Sequence, residues 1–249
     1  MKNIMYSFIF ISLILLITGC SSEDKPIIVK EEMTTPAQES ATLVEETDEK
    51  DPEESQMMIE FMLEEEQLTI NLNKVPILKN YLSQIDNRKQ AINEMEINKL
   101  DIQSPESIYL LGFAKSNQLY SYLLLDPTGE GHSFLLTDRA NFIQVAQSLD
   151  NDKLVFNFER SVKDKPWKKN KLMILDLKNW GNKNLTNKEE NINITLDQFD
   201  WPVLAVDWVD DTTILATIPS IEQPSEEELL HWTNSEQQTK QVELSIINN

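Results

Sequence analysis

The clearest pattern along the chain is an alternation of short apolar runs and polar turns, which is most regular between Phe142 and Asn187. Apolar runs of about four to eight residues bounded by Asp, Asn or Gly are typical of antiparallel strands. In chain order the predicted elements are a strand at Ile143 and Val145, a turn at 150–152, a strand at 154–158, a strand at 172–175, a turn at Gly181 and a closing strand at Leu185 and Thr186. The segment therefore predicts a four-strand antiparallel meander.

Two weaker copies of this meander flank it. A shift of about 60 residues aligns 145–158 with 205–218, and a shift of about 46 in the other direction places 100–110 on the same pattern. In the last copy, apolar residues at 229–232 and 241–247 predict a hairpin around a polar turn. The fold class predicted is mainly β, built from antiparallel four-strand meanders. The repeats span about 100–137, 143–187 and 203–247.

The order of the turn residues, and of the Leu-Thr pair that ends the first two units, is similar to that of a known repeat family. The first turn of the first copy is Ser104-Pro105-Glu106. Its third strand ends in Leu123 to Asp126 and is followed by Gly129, and the unit closes with Leu136-Thr137. The second copy has the same order of features. It resembles the blades of TolB-like β-propellers, although the Gly of the family's first turn is absent from all three copies. Since a ring has typically about 4 to 8 blades, the resemblance implies an incomplete or small propeller. An antiparallel sandwich is the alternative.

The residues before the repeats give mixed signals. Apolar residues at 58–63 and 68–72 predict strands, the second by regular alternation. The segment 76–85 begins with Pro at the first position of a predicted short helix and repeats apolar residues at helical spacing. Residues 93–102 fit either a strand or a helix, and the strand is favoured because a repeat follows. The β-propeller-like domain is accordingly predicted to span 58–249.

Residues 1–19 have the pattern of an export signal. Lys2 precedes an apolar run from Ile4 to Leu16 that is short for a transmembrane span. The quartet Ile17-Thr18-Gly19-Cys20 resembles the lipobox of bacterial lipoprotein signal peptides. The resemblance implies cleavage before Cys20, attachment of a diacylglyceryl group to its thiol, and a palmitate-type lipid anchor in the cell membrane, on its extracytoplasmic face. The alternative is an uncleaved anchor, or a buried helix that contains Cys20 by chance.

Between Cys20 and residue 57 the chain is acidic and poor in aromatic residues. Such a segment buries too little apolar surface to offset the entropy of ordering it. We therefore predict that residues 20–57 comprise the lipidated Cys and a disordered tether, extended by repulsion between its carboxylates. A tail that binds cations or a partner protein is the alternative.

Charge and cysteine content narrow the classes of function. The formal net charge of −20 disfavours nucleic acid as a partner, because phosphate contacts need Lys and Arg. Cys20 is the single Cys of the chain, so its lipidation leaves no thiol for a disulfide, for nucleophilic catalysis or for a metal–thiolate site. No cofactor is predicted.

The residues suited to catalysis fit structural roles better. His132 and His231 lie in no spacing typical of a metal site or a Ser-His-Asp triad. The pairs Asp150 and Asp152, and Asp210 and Asp211, would suit acid–base work or calcium, but each pair recurs at a turn of the repeat, where Asp is favoured by turn geometry. Neither catalytic nor metal-binding residues are predicted, and the chain is predicted not to be an enzyme.

One loop concentrates positive charge in this acidic chain. Lys165, Lys168 and Lys169 surround Trp167, an arrangement that would contact an anionic polymer such as a wall teichoic acid, or lipid headgroups, if the Trp were exposed. The alternative is a solvated hairpin loop with Trp167 folded onto the sheet.

Together these patterns predict a membrane-anchored lipoprotein of the cell envelope whose β body is a binding or interaction module. Its predicted partners are the membrane, through Cys20, and an envelope protein or wall polymer. An extracytoplasmic hydrolase or its accessory subunit is the alternative, and a solute-binding lipoprotein is a further one, although the latter should show alternating strands and helices in two lobes.

Overall fold

A computed structural model describes residues 57–64, 66–126, 132–187 and 194–247, together with the backbone of two strands at 28–32 and 40–43. The predicted signal peptide and Cys20 lie outside the described residues.

Strands dominate the described chain. They are β1 (Ile28–Glu32), β2 (Ser40–Leu43), β3 (Met58–Met62), β4 (Glu66–Asn71), β5 (Glu96–Lys99), β6 (Tyr109–Ser116), β7 (Leu119–Asp126), β8 (His132–Gln147), β9 (Lys153–Ser161), β10 (Lys168–Asp176), β11 (Gly181–Lys183), β12 (Leu185–Asn187), β13 (Ala205–Asp210), β14 (Thr213–Pro219) and β15 (Thr239–Ile246). The helices are a 3-10 turn (Leu72–Lys74), α1 (Pro76–Ser83), α2 (Arg88–Asn93) and α3 (Glu226–Thr233).

The strands form three antiparallel sheets, so the predicted mainly β class is confirmed, and none of them closes into a barrel. Sheet 1 has the order β1-β4-β3-β2, sheet 2 the order β11-β10-β9-β8-β7-β6-β5, and sheet 3 the order β12-β15-β14-β13.

The 16-residue strand β8 divides sheet 2 into two halves. Its first part, up to Ala140, pairs with β7, and its second part, from Asn141 onward, pairs with β9. Leu110 and Leu124 of one half belong to the same buried cluster as Phe156 and Phe158 of the other half. The two halves therefore pack against each other through one apolar face, as the layers of a β-sandwich do.

Period-two alternation sends neighbouring side chains into different cores. In β6, Tyr109 and Leu111 pack with sheet 1 and helices α1 and α2, while Leu110 packs with the other half of sheet 2. In β9, Val155 points away from Phe156 and joins a cluster with sheet 3. Each half of sheet 2 thus has two buried faces. The result is a series of four-stranded layers, each packed face to face on the next.

A buried amide ties sheet 2 to the segment that leads into sheet 3. Asn170, 5% exposed, donates from Nδ2 to Asn157 Oδ1 at 2.9 Å, and its Oδ1 accepts from the Val203 amide at 3.0 Å. Both polar ends of the side chain are satisfied, as burial requires.

The strand predicted at 229–232 is wrong, because these residues lie in α3. Ser225 caps the helix by accepting from the Glu228 amide, and three acidic residues occupy its first turn, where they favour the helix dipole. Leu229 and Trp232 are buried, three residues apart on one helical face. The fourth strand of sheet 3 comes instead from β12, which pairs with β15.

The closing part of the central meander also differs from the prediction. Gly181 begins a strand, β11, which pairs with β10, rather than standing in the turn. Leu185 and Thr186 belong to β12 and pair with sheet 3. Residues 181–187 therefore pass from sheet 2 to sheet 3, so the unit predicted to close on itself contributes its last strand to its neighbour.

Upstream of the repeats, β3, β4 and α1 form where strands and a helix were predicted. The ambiguous stretch at 93–102 contains the end of α2 and the strand β5. Strands β1 and β2 lie within residues 20–57, for which a tether was predicted, and they pair with β4 and β3. The β-branched pair Ile28-Val29 favours strand there.

Candidate functional site

Turns from both halves of sheet 2 meet around a groove of about 380 Å³. Its walls come from the loop between β5 and β6, the end of β7, the turn between β8 and β9, and the turn between β10 and β11. The lining residues are Gln103, Ser104, Pro105, Glu106, Ile108, Asp126, Asn151, Asp152, Leu177, Lys178 and Trp180. We call this cavity the turn groove. Its volume lies within the range of small-ligand sites, roughly 300 to 1,000 Å³.

Trp180 supplies the aromatic wall of the turn groove. Its ring stacks on the His132 ring with a centroid distance of 5.2 Å and an interplanar angle of 14°. The backbone of Trp180 has a φ of +49°, in the left-handed region that bulky residues rarely adopt. Strain of this kind costs on the order of 1 kcal/mol or more and persists only where surrounding contacts hold it, often at functional sites.

Carboxylates make the groove predominantly acidic. Asp126, 7% exposed, lies with Oδ2 at 3.4 Å from His132 Nδ1. Asp152 forms an ion pair with Lys178 across the two turns of the second half of sheet 2. With Glu106, the described lining residues include three carboxylates and one ammonium group.

Hydrogen bonds between the loops hold the groove open in one shape. The Gln147 side chain accepts from the Gln103 amide at 2.7 Å and donates to the Gln103 carbonyl at 2.8 Å and to the Asn151 carbonyl at 3.1 Å. The Leu177 amide donates to the Asp152 carbonyl at 2.8 Å. Because loops from both halves of the sheet are tied together, little ordering entropy remains to be lost on binding.

Asp150, beside the groove, has a turn-forming role. Its carboxylate accepts from Ser148 Oγ, from the Asp152 amide at 3.2 Å and from Lys153 Nζ at 2.7 Å. Burial works to raise the pKa of Asp150, but these hydrogen bonds and the Lys153 charge outweigh it and lower the pKa to about 2. Asp210 acts in the same way on the Thr212 amide at 2.8 Å. Both carboxylates therefore do what turn chemistry predicts.

The lysine-rich loop does not present an exposed Trp between free lysines, which is the arrangement that would contact an anionic polymer. Trp167 is 5% exposed, so its ring is folded inward, as in the predicted alternative of a hairpin loop with Trp167 packed onto the sheet. Lys165 forms an ion pair with Glu226 of α3, and Lys168 forms one with Glu159 of β9. Lys169 lies in β10 and is partly exposed. Contact with an anionic polymer stays a prediction, and the buried Trp167 would not take part in it.

The other predicted side chains also have defined positions. Trp201 and Trp232 are buried and Trp208 packs against the cluster between sheets 2 and 3, which confirms the core role predicted for them. His231 lines an open cavity of about 750 Å³ beside α3, together with Glu227 and Glu228.

The sequence singles out His132 and Asp152, but no local sequence pattern marks the whole groove beside them. Asp126 ends β7, whereas Lys178 and Trp180 lie in the turn between β10 and β11, so only the fold brings the first residue to the other two. One local signal was available: Trp180 immediately precedes Gly181, and the end of a hairpin turn is where a left-handed residue is expected.

Within the described ranges, no group of three or more His, Cys, Asp or Glu side chains is arranged to hold a metal ion. The helices in the same part of the chain are too short or too polar to span a membrane. No protein-family model, curated protein or solved structure matches the chain.

Proposed function

We propose that the chain is a lipid-anchored protein of the bacterial cell envelope and that its β body binds a ligand or partner at the turn groove. In this proposal the body is an open, propeller-like stack of sheets held outside the cell membrane by the acylated Cys20.

The anchor is supported by sequence alone. The apolar run, the small residues Thr18 and Gly19, and the single Cys of the chain stand in the order of a lipobox. Acyl chains on Cys20 would supply membrane attachment, since two or more chains hold a protein firmly where one gives only marginal binding.

The likeness to propeller blades is supported by how the layers are built. Strands β8 to β11 pair in sequential order, and each layer packs its faces on the layers beside it. The outward face of sheet 3 is suited to end such a stack. Val242 and Leu244 point inward, so Gln241 and Glu243 lie on the opposite face and are exposed, as Asp207 is on β13. A polar outer face is what the terminal unit of a repeat array needs.

The turn groove is the observation that carries the binding role. Turns on a rigid sheet scaffold are where binding residues concentrate, because they vary without disturbing the core. Here four such segments converge on one cavity, and their mutual hydrogen bonds fix its shape.

The anchor is tested with Cys20→Ala in the bacterium that produces the protein. We expect the variant to leave the membrane fraction, since it lacks the thiol that is acylated. Ser21→Ala, which keeps Cys20, is the matched control and should stay with the membrane. Continued tight membrane association of Cys20→Ala would contradict the anchor.

The binding role is tested by affinity capture of the lipidated protein from its own membrane. The wild-type protein is compared with a groove variant, Glu106→Lys, and with an exposed control on β11, Asn182→Lys. A partner that is enriched by the wild type and the control but lost with Glu106→Lys supports the groove. Equal enrichment by all three proteins would place the binding surface elsewhere.

A further inference from the structure

We infer that the turn groove recognises an organic ammonium group. This inference rests on the proposed binding role of the groove and names the chemistry of its ligand.

Charge selects a cation. Glu106, Asp126 and Asp152 line the groove, and Lys178, the only Lys or Arg among the described lining residues, is paired with Asp152. The chain as a whole has 42 acidic and 22 basic residues, so its field also attracts cations and repels anions. An anionic ligand would have to displace Lys178 from its partner and approach the two other carboxylates.

Asp126, which lies 3.4 Å from His132 Nδ1, adds a buried negative charge to the lining. Asp126 is 7% exposed yet lines the cavity, so an ammonium group that reached it would be largely removed from water. Electrostatic attraction is stronger there than at the surface, because the effective dielectric constant is lower.

Trp180 adds the second element of ammonium recognition. Trp is the best aromatic partner of a cation, and quaternary ammonium groups are bound by aromatic walls beside carboxylates. The Trp180 ring is held in place by its stack on His132, and Trp180 is one of the residues that line the groove. A volume of about 380 Å³ accommodates a group the size of choline.

Choline and its neutral isostere 3,3-dimethyl-1-butanol test the inference, since they differ in the charged nitrogen alone. Each is titrated into the full-length protein by isothermal titration calorimetry at low salt. We expect saturable choline binding with a Kd on the order of 1 mM or tighter, and at least roughly tenfold weaker binding of the isostere, as expected when charge is recognised. Equal affinity for the two compounds, or no saturable choline binding, would overturn the inference.

Two groove variants and one control locate the site. Trp180→Asn keeps a residue that tolerates a positive φ while removing the ring, and Glu106→Gln removes one exposed carboxylate without burial changes. We expect each to raise the Kd for choline about threefold to tenfold. Asp210→Asn, in a turn of sheet 3, should leave the Kd unchanged. If the groove variants bind choline like the wild type, the ammonium site is not in the turn groove.

The choline titration and the capture experiment can fail independently of each other. Loss of partner capture with Glu106→Lys, combined with no choline binding, would keep the groove as a binding site and reject its ammonium specificity. Choline binding without any captured partner would keep the specificity and reject a macromolecular partner.

Discussion

Tyr109 links sheet 1 to sheet 2 through one buried hydrogen bond. Its hydroxyl donates to Glu66 Oε1 at 2.6 Å, and Glu66 is 6% exposed with Lys99 Nζ at 3.9 Å from the same oxygen. Tyr109→Phe keeps the ring in place and removes the donor, so a buried carboxylate loses one of its partners. Hydrogen bonds to charged groups contribute about 1.5 to 3 kcal/mol.

We therefore expect Tyr109→Phe to lower the free energy of unfolding by about 2 kcal/mol. For a protein of this size the midpoint of thermal unfolding should fall by about 4 to 8 °C. Urea unfolding followed by Trp fluorescence gives the free energy directly. Tyr81→Phe is the matched control: it removes a hydroxyl that has no hydrogen-bond partner among the described residues, and should change stability by less than about 0.5 kcal/mol.

Glu66→Gln completes a double-mutant cycle with Tyr109→Phe. If the hydroxyl acts through Glu66, the two effects should be non-additive by about 1 kcal/mol or more. Additive effects, or a Tyr109→Phe effect no larger than that of Tyr81→Phe, would refute the idea that this bond holds the two sheets together.

The same contact gives a pH dependence. Burial, and then the hydrogen bond to Glu66, raises the pKa of Tyr109 above its ordinary value of 10.0. The folded protein thus keeps a proton that the unfolded chain loses, so this stabilisation is complete below about pH 10 and declines as the pH rises above it. Tyr109→Phe should make the alkaline decline of stability shallower. An unchanged alkaline slope would contradict the assignment.

Three further predictions concern the core and the turns. Phe158→Ala removes a fully buried ring between the halves of sheet 2 and should cost about 3 to 5 kcal/mol by urea unfolding, whereas Leu149→Ala, at a residue 69% exposed, should be nearly neutral; similar costs would argue against the packed interface. Asn170→Ala removes the hydrogen-bond partner of Asn157 Oδ1 and of the Val203 amide, and should lower the free energy of unfolding by about 3 kcal/mol. The exposed Asn182→Ala should change it little, and equal losses of stability in the two variants would refute the bridge. The pKa of Asp150 is lowered to about 2, so its contribution to the stability of the folded protein is present above pH 3.8 and is lost as the pH falls towards 2. Asp150→Asn should therefore flatten this part of the acid unfolding profile. The expected change in the free energy of unfolding is less than about 1 kcal/mol, because the residue is exposed.

The strands of the repeats were predictable because their burial alternates. Leu154, Phe156 and Phe158 face one core and Val155 the other, so the run is apolar except at Asn157, and the preceding Asp residues mark its turn. The same pattern placed β13 and β14 correctly.

The helix α3 shows where strand reasoning failed. Its sequence Ser225-Glu226-Glu227-Glu228 carries the signature of a capped helix start, and the spacing of Leu229 and Trp232 is helical. A strand was predicted there because a third complete repeat would need one at this position. The passage of residues 181–187 between two sheets was not predictable, because pairing partners distant in sequence leave no local pattern.

The turn groove lay beyond sequence reasoning for a related reason. Glu106 and Lys178 are 72 positions apart by their numbers, and only the packing of the two halves of sheet 2 brings their turns to one cavity. The inward-folded position of Trp167, in contrast, was one of the two alternatives that the sequence left open.

Site-specific photo-crosslinking in living cells tests the binding role of the turn groove most directly. A benzophenone amino acid is placed at Pro105, an exposed residue of the groove wall, or at Asn182, an exposed residue outside its lining. We predict a discrete crosslinked product, in the membrane fraction, from position 105 and none from position 182. Absence of any product specific to position 105, in cells where the protein is folded and anchored, would contradict the proposal that this groove is where the protein meets its partner.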